Sequence, residues 1–454
     1  MATRSEMAPS GDAALNTTGL TAQNLKLAIA VMIGALVEWY DFLIYATASA
    51  LVFRQVFFPN MSPTLGSVIA FSGFAVGYVF RPLGGIVLGH FGDRIGRKAM
   101  LVGTMFAMGV ATMLIGMLPG YDVLGVWAPV LLISLRAVQG IALGGELGGS
   151  ILMAVEHAPA RLRGLFSSFP QLGSTIGLVA ANLVFLGVNL SMSAENFLAF
   201  GWRIPFLLSA ILVIVGIYVR LRISESPVFL AAQRQGSQVA MPIVTVLTRG
   251  WPPIIRIVLA NLFPGSIGFV TIVFMLSYGT QTLHLSKATM LSFIIVANAL
   301  EIPTSLCAGS LSDRFGRKKI ILAATAAGVA MSAIFFPLVN TALPPAVFLA
   351  ILAVRLAIAT MFGATGAWMA EQFDTGIRYT GVSVSAGIAV LIGSQTPAVA
   401  ALLVAANGGG TTWLSFFLCT ATTIAFLAVL TMPETRHVDL TQQILKWPRA
   451  ARRQ

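Results

Sequence analysis

The chain is 454 residues long, 57% apolar and 10% charged, with a net charge of +12 and a mean hydropathy of +0.87. That composition lies outside the range of soluble globular chains and makes a lipid bilayer the main solvent. Only two cysteines occur, Cys307 and Cys419, both inside apolar runs, so neither a disulfide framework nor a thiolate metal site is supported.

Residues 1–24 carry no apolar stretch and are expected to form a disordered tail with no cleavable signal. A bilayer core needs about 20 apolar residues per helix. Such runs start near Leu25, Thr64, Ala99, Val130, Gly164 and Ile204, and after a polar linker at 223–253 again near Ile254, Ala288, Ile320, Ala346, Thr380 and Thr411. A short tail, 434–454, closes the chain. The expected fold is an all-α polytopic membrane protein of twelve transmembrane helices, arranged as two six-helix bundles over 25–222 and 254–433.

The 28 lysines and arginines are distributed by side of the membrane rather than by sequence. Only Arg54, Arg203 and Lys287 fall in the odd-numbered loops; four more, Arg81, Arg136, Arg256 and Arg355, lie within apolar runs, and the rest occupy the even-numbered loops and the tails. The positive-inside rule then makes both termini cytoplasmic and accounts for the basic excess without a nucleic-acid partner. None of His90, His157, His284 and His437 sits in mid-membrane, and no GxxxxGK[ST] loop is present to supply ATP drive.

The chain is internally duplicated. GHFGDRIGRK, Gly89 to Lys98, returns as GSLSDRFGRK, Gly309 to Lys318, each between two apolar runs. A second signature, EHAPARLRG from Glu156, is echoed by EQFDTGIRYTG from Glu371, with glutamate and arginine seven residues apart in both. Glycine and aspartate kept in register twice point to a fixed turn with a charge latch. Its expected members are Gly89, Asp93, Arg94, Gly96, Arg97 and Lys98, their counterparts Gly309, Asp313, Arg314, Gly316, Arg317 and Lys318, and Glu156, Arg163, Glu371 and Arg378. Parallel six-helix repeats place a substrate site between the halves near mid-depth.

These motifs, together with VEWYDF (Val37 to Phe42), RPLGG (Arg81 to Gly85), RAVQGIALGGE (Arg136 to Glu146), WRIPF (Trp202 to Phe206) and SPVF (Ser226 to Phe229), resemble the major facilitator superfamily and, within it, the metabolite–proton symporters. The resemblance covers about Leu25 to Arg436. It implies secondary transport across a bacterial cytoplasmic membrane of shikimate, 2-oxoglutarate, citrate or another carboxylate, or of proline or betaine, usually with a proton and through a cytoplasmic gate. The chain departs from the family pattern at Leu147, where an aromatic residue is usual, and at Asp374, where proline is usual. The tail after Glu434 lacks the heptads of osmosensing relatives.

Charges inside a bilayer cost roughly 2.5 to 3.5 kcal/mol each on insertion scales and usually pair or line a water-filled path. Here four acids, Glu38, Asp41, Glu146 and Glu301, match the four arginines in number. Glu38, Asp41 and Tyr45 share one face of the first helix, expected to point at the cavity. With no histidine in mid-membrane, a transported proton must ride on a carboxylate. Asp41 is the first candidate, since its YD pair resembles the proton-linked aspartate of related symporters, with Arg136 as its expected partner and Glu38 and Glu146 as the other proton-coupling residues.

Arginine forks bind carboxylates bidentately, which makes Arg81 and Arg355 the anion-binding candidates. Tyr45, Tyr78, Gln139, Gln171, Asn298, Glu301 and Trp368 complete the expected substrate site, with direct pairing of Arg81 to Glu301 as an alternative. Gly140, Gly144 and Gly148 form a stripe for close helix packing. The expected function is uptake of a small carboxylate by proton symport through alternating access, with protons, the substrate and the bilayer as partners, no other cofactor or metal, and a monomeric carrier. Proton-coupled efflux and zwitterion uptake are the alternatives; nothing in the chain points to an enzyme.

Overall fold

The computed structural model describes residues 22–61, 73, 76–222, 225–226, 229–230 and 242–440. Most of both expected tails, most of the linker, and the start of the second expected crossing at Thr64 lie outside the described residues.

The first half contributes α1 (Ala22–Ala48), α2 (Arg81–Ile95), α3 (Arg97–Met117), α4 (Trp127–Glu156), α5 (Arg163–Ser191) and α6 (Arg203–Leu221). The second contributes α7 (Trp251–Ala260), α8 (Lys287–Phe315), α9 (Arg317–Val339), α10 (Pro344–Ala370), α11 (Arg378–Ser394) and α12 (Thr412–Leu430). Among the described residues ten helices are long and apolar enough to span a bilayer, and a pair bent by 73°, Pro242–Thr248 with Trp251–Ala260, raises that to eleven. The expected second crossing is represented by α2.

Helix packing follows the duplication. In the first half α1 packs on α5 and α6, α3 on α4 and α6, and α2 on α4; in the second α7 packs on α11 and α12, α8 on α10, and α9 on α10 and α12. The halves meet where α2 lies along α11 and α5 along α8, two contacts that exchange under the repeat. Large apolar side chains such as Phe106, Leu183, Ile214, Leu402 and Phe416 are left exposed on the periphery, as a lipid-facing surface requires.

The seventh crossing is the irregular one. Beyond Ala260 it continues through two π-helical segments, Pro264–Gly268 and Val270–Phe274, to Met275–Gln281. Pro264 has no amide hydrogen for the ladder, which favours the change of winding, and π segments recur at functional sites.

Each loop motif turns on a glycine. Gly96, between α2 and α3, has φ +123°, and Gly316, between α8 and α9, has φ +105°, a region open to glycine and strained for other residues.

Candidate functional site

A cavity of about 310 Å³ lies between the halves, at the lower end of the roughly 300–1,000 Å³ typical of small-molecule sites. The first half supplies Trp39 and Leu43 from α1, Tyr78, and the α5 face with Gln171 and Ser174. The second supplies the π-wound stretch from Asn261 to Val273, Asn298 and Glu301 on α8, and Arg355, Ile358, Phe362 and Thr365 on α10. The wall is thus mostly apolar and aromatic. Among the described lining residues Glu301 and Arg355 carry the charge, and they form an ion pair with each other. The alternative pairing of Glu301 with Arg81 is therefore corrected.

Of the expected substrate-site residues, Arg355, Tyr78, Gln171, Asn298 and Glu301 line this cavity, whereas Arg81, Tyr45, Gln139 and Trp368 do not. Helical phase explains the difference on α10 and α1. On α10 the cavity stripe is 355, 358, 362, 365 and 369, and Trp368 falls on the neighbouring stripe, fully buried in the core. On α1 the cavity takes Trp39 and Leu43, so the Glu38–Asp41–Tyr45 face is turned into its own half rather than towards the cavity.

Arg81 sits behind the wall. Its guanidinium carbon lies 5.4 Å from the Trp39 ring centroid, 5.1 Å from Phe42 and 5.3 Å from Tyr78. Arg136 approaches Phe42 at 3.8 Å and Tyr45 at 4.3 Å. Cation–π contact is the packing that desolvated guanidinium groups accept in place of water.

The expected direct pair of Asp41 with Arg136 is replaced by a relay. Arg136 Nη1 donates to Gln139 Oε1 at 3.0 Å, Gln139 Nε2 donates to Thr112 Oγ1 at 2.8 Å, and Thr112 Oγ1 lies 3.2 Å from Asp41 Oδ2. Thr112 Oγ1 also donates to the Met108 carbonyl at 2.9 Å. Glu146 is engaged elsewhere, by an ion pair with Arg220 and a 2.9 Å bond from Thr104 Oγ1. Glu38 is buried beside them, its Oε1 without a hydrogen-bond partner among the described residues.

The ends of the helices that carry the loop motifs are clamped across the halves. Asp93, at the end of α2, accepts from the Tyr379 and Thr380 amides at 3.1 and 2.9 Å and from Thr380 Oγ1 at 2.8 Å. Asp313, at the end of α8, accepts from the Gly164 and Leu165 amides at 2.8 and 2.9 Å. Each aspartate thereby caps the first turn of a helix in the opposite half, α11 or α5, where free amides and the helix dipole favour a carboxylate.

Around each aspartate an arginine and a glutamate close the cluster. Arg97 Nη1 is 3.2 Å from Asp93 and its Nε 3.5 Å from Glu156; Arg317 Nη1 is 2.6 Å from Asp313 and its Nε 3.5 Å from Glu371. The glutamate of each signature does not pair with its own arginine. Glu156 instead meets Arg378 of the other half at 3.1 Å. Outside the spans, burial pushes the Glu371 carboxyl up, against the pull of Arg317 and Thr435. Arg163 and Arg378 donate to the Val438 and Leu440 carbonyls at 2.7 and 3.0 Å.

Arg94 and Arg314 are corrected out of the latch, because both are exposed and turned away from it. Lys98 and Lys318 stay within their own halves, capping the carbonyls of Leu221 and Leu430. Gly309 packs against the Gly164 backbone and Gly89 against Thr380, leaving no space for a side chain.

Sequence reasoning missed Glu225 and Glu434, which accept from the first amides of α3 and α9. It also missed the adjacent hydroxyls, Ser226 bonded to Glu156 and Thr435 bonded to Glu371. A signal existed: the dipeptides Glu225-Ser226 and Glu434-Thr435 follow the last helix of each half.

A family model described as sugar (and other) transporter matches residues 27–246 and again 243–447. The chain belongs to that family, within the major facilitator superfamily. The inner membrane metabolite transport protein YhjE of Escherichia coli (strain K12) is 38% identical over 91% of this chain and 95% of its own length. The shikimate transporter of the same organism is 36% identical over 90% and 95%. Among solved structures, the proton:xylose symporter XylE bound to 6-bromo-6-deoxy-D-glucose superposes with a TM-score of 0.75 at 18% identity, covering 91% of this chain and 97% of that one, a likeness of fold alone. This sugar-transporter-family chain is therefore a multi-pass membrane transporter and not an enzyme.

Proposed function

We propose that the chain imports a small organic carboxylate together with protons by alternating access, in the bacterial inner membrane, with the clamped motif end facing the cytoplasm. The observation that carries this reading is Arg355, an arginine on the wall of a mostly apolar cavity between the halves, where a guanidinium fork can receive a carboxylate and the aromatic wall can receive its body. Similarity to a shikimate transporter supports the same substrate class, and the basic loops support the orientation.

Asp41 is the proposed proton carrier within the first half. Thr112 Oγ1 has one hydrogen and stands between two acceptors, the Met108 carbonyl and Asp41. All bonds of the relay are satisfied together when Asp41 carries a proton and donates it to Thr112. A line of contacts joins this carboxyl to the cavity, from Trp39 and Tyr78 through Arg81 and Phe42 to Arg136, Gln139 and Thr112. The membrane potential would supply about 2.3 kcal/mol per net charge per 100 mV.

The test is internal pH in proteoliposomes holding the purified chain and a trapped dye. Shikimate, succinate, betaine and cationic drugs are added outside in turn, with empty vesicles correcting for passive weak-acid entry. Acidification on adding a carboxylate is the expected result. Alkalinisation with a drug would establish antiport instead, and a response to betaine alone would establish zwitterion uptake, a second reading favoured by the opposite charges of Glu301 and Arg355 side by side.

A further inference from the structure

The proposed carrier Asp41 faces its own half, so the cavity itself needs a group that links substrate entry to a proton. Glu301 stands in that position. It is one of the two charged residues among the described residues of the wall, it is paired with the other, and both are largely buried, Glu301 at 4% and Arg355 at 8% exposure.

We propose that the substrate carboxylate displaces Glu301 from Arg355, and that Glu301 takes up a proton as it is released. This rests on the carboxylate reading above. The charges balance at each stage. The empty site holds the Arg355 guanidinium and the Glu301 carboxylate and is neutral. Entry of a carboxylate alone would leave one uncompensated negative charge in a mostly apolar cavity, which is costly. A proton from the outer solution joining a Glu301 carboxyl oxygen restores neutrality, with Arg355 positively charged throughout and its partner changed from Glu301 to the substrate. Release of substrate on the other side returns the proton to solution and re-forms the pair.

One further feature fits the exchange. Asn298 Oδ1, one turn before Glu301 on the same face, is buried with no hydrogen-bond partner among the described residues. A protonated Glu301 has a hydrogen to donate, and this carboxamide oxygen can accept it.

Among the described residues around Glu301, Arg355 is the charged group acting on it. The α5 face opposite presents Gln171 and Ser174, which do not titrate, and Tyr78 lies on the cavity wall of the other half. On α9 the cations Arg317, Lys318 and Lys319 are at the motif end, and Tyr278, at the far end of the seventh crossing, is bonded to Asn340. A carboxylate substrate therefore requires a proton at this site, whereas a zwitterion, offering its cation to Glu301 and its carboxylate to Arg355, requires none.

The experiment is calorimetric binding of shikimate, succinate and betaine to the purified full chain between pH 5.5 and 8.5, in buffers of different ionisation enthalpy so that protons taken up per ligand are counted. In wild type, shikimate binding takes up protons and weakens by up to about tenfold per pH unit for each proton at the alkaline end. Glu301→Gln is expected to bind shikimate with one proton fewer and a correspondingly shallower slope. Glu301→Asp, which keeps a carboxyl, retains the wild-type count and shows that any loss is not misfolding. A Glu301→Gln variant with the wild-type proton count overturns the inference and leaves the carboxylate reading standing. Wild type that binds betaine but neither shikimate nor succinate overturns that reading itself.

Discussion

Asp41 and Arg136 are joined through Thr112 and Gln139 rather than by an ion pair, so the proton site and the guanidinium of the first half communicate through neutral side chains. Replacing Asp41 by Asn keeps the shape and removes the titration. Uphill uptake of shikimate driven by membrane potential alone should fall to the level of empty vesicles, since a carboxylate with the remaining proton moves no net charge, while counterflow of labelled substrate persists. Thr112→Val is the finer test. Losing one bond to the protonated form removes about 1 kcal/mol, so half-maximal uptake should need a medium more acidic by about 0.7 pH unit. A shift in the alkaline direction would mean that the hydroxyl donates to a carboxylate, and the proton assignment would fail.

The latch makes a prediction about populations. Asp93 and Asp313 each cap a helix of the opposite half, and a lost cap costs about 0.5–2 kcal/mol. Asp93→Ala or Asp313→Ala should thus shift the balance between clamped and open motif ends by roughly two- to thirtyfold, since 1.4 kcal/mol is about tenfold. Spin labels at Arg94→Cys and Arg314→Cys, in a chain with Cys307 and Cys419 replaced by serine, report on this without disturbing it, because both arginines are exposed and outside the latch. A longer inter-label distance should gain population in either aspartate variant and most in the double variant. An unchanged distance distribution would assign the aspartates a static role.

Much of this is legible in the duplication of the sequence. Two copies of one loop motif identified its glycine turn and its aspartate, and the apolar runs gave the helices. What a linear reading cannot supply is helical phase and the choice of partner. Arg81 and Arg355 look alike as arginines in apolar runs, yet a difference of rotation puts one behind Trp39 and the other on the cavity wall. Glu156 and Arg163 are neighbours in sequence, but the latch joins Glu156 to Arg378 because closing two halves requires contacts between them. The i, i+3, i+7 spacing of Glu38, Asp41 and Tyr45 gives them one face, and only packing of α1 on α5 and α6 shows which way that face points.

Arg220 illustrates the same point and carries the last prediction. By sequence it belongs to the basic end of α6, but its side chain turns inward, pairs with Glu146 and donates to the Leu101 carbonyl, with 3% of its surface exposed. Glu38 is buried nearby without an ion-pair partner among the described residues. Removing the cation therefore strands a carboxylate in a low-dielectric interior next to a second acid, and breaking a buried pair from one side costs about 3–5 kcal/mol. Arg220→Met should lower the unfolding temperature of the detergent-purified protein markedly. Glu146→Gln added to Arg220→Met removes the stranded charge and should recover most of the loss, because a neutral amide keeps the bond from Thr104 Oγ1. If the double variant is no more stable than Arg220→Met alone, the cost lies in the lost bond to Leu101 and in packing, and the charge pair contributes little.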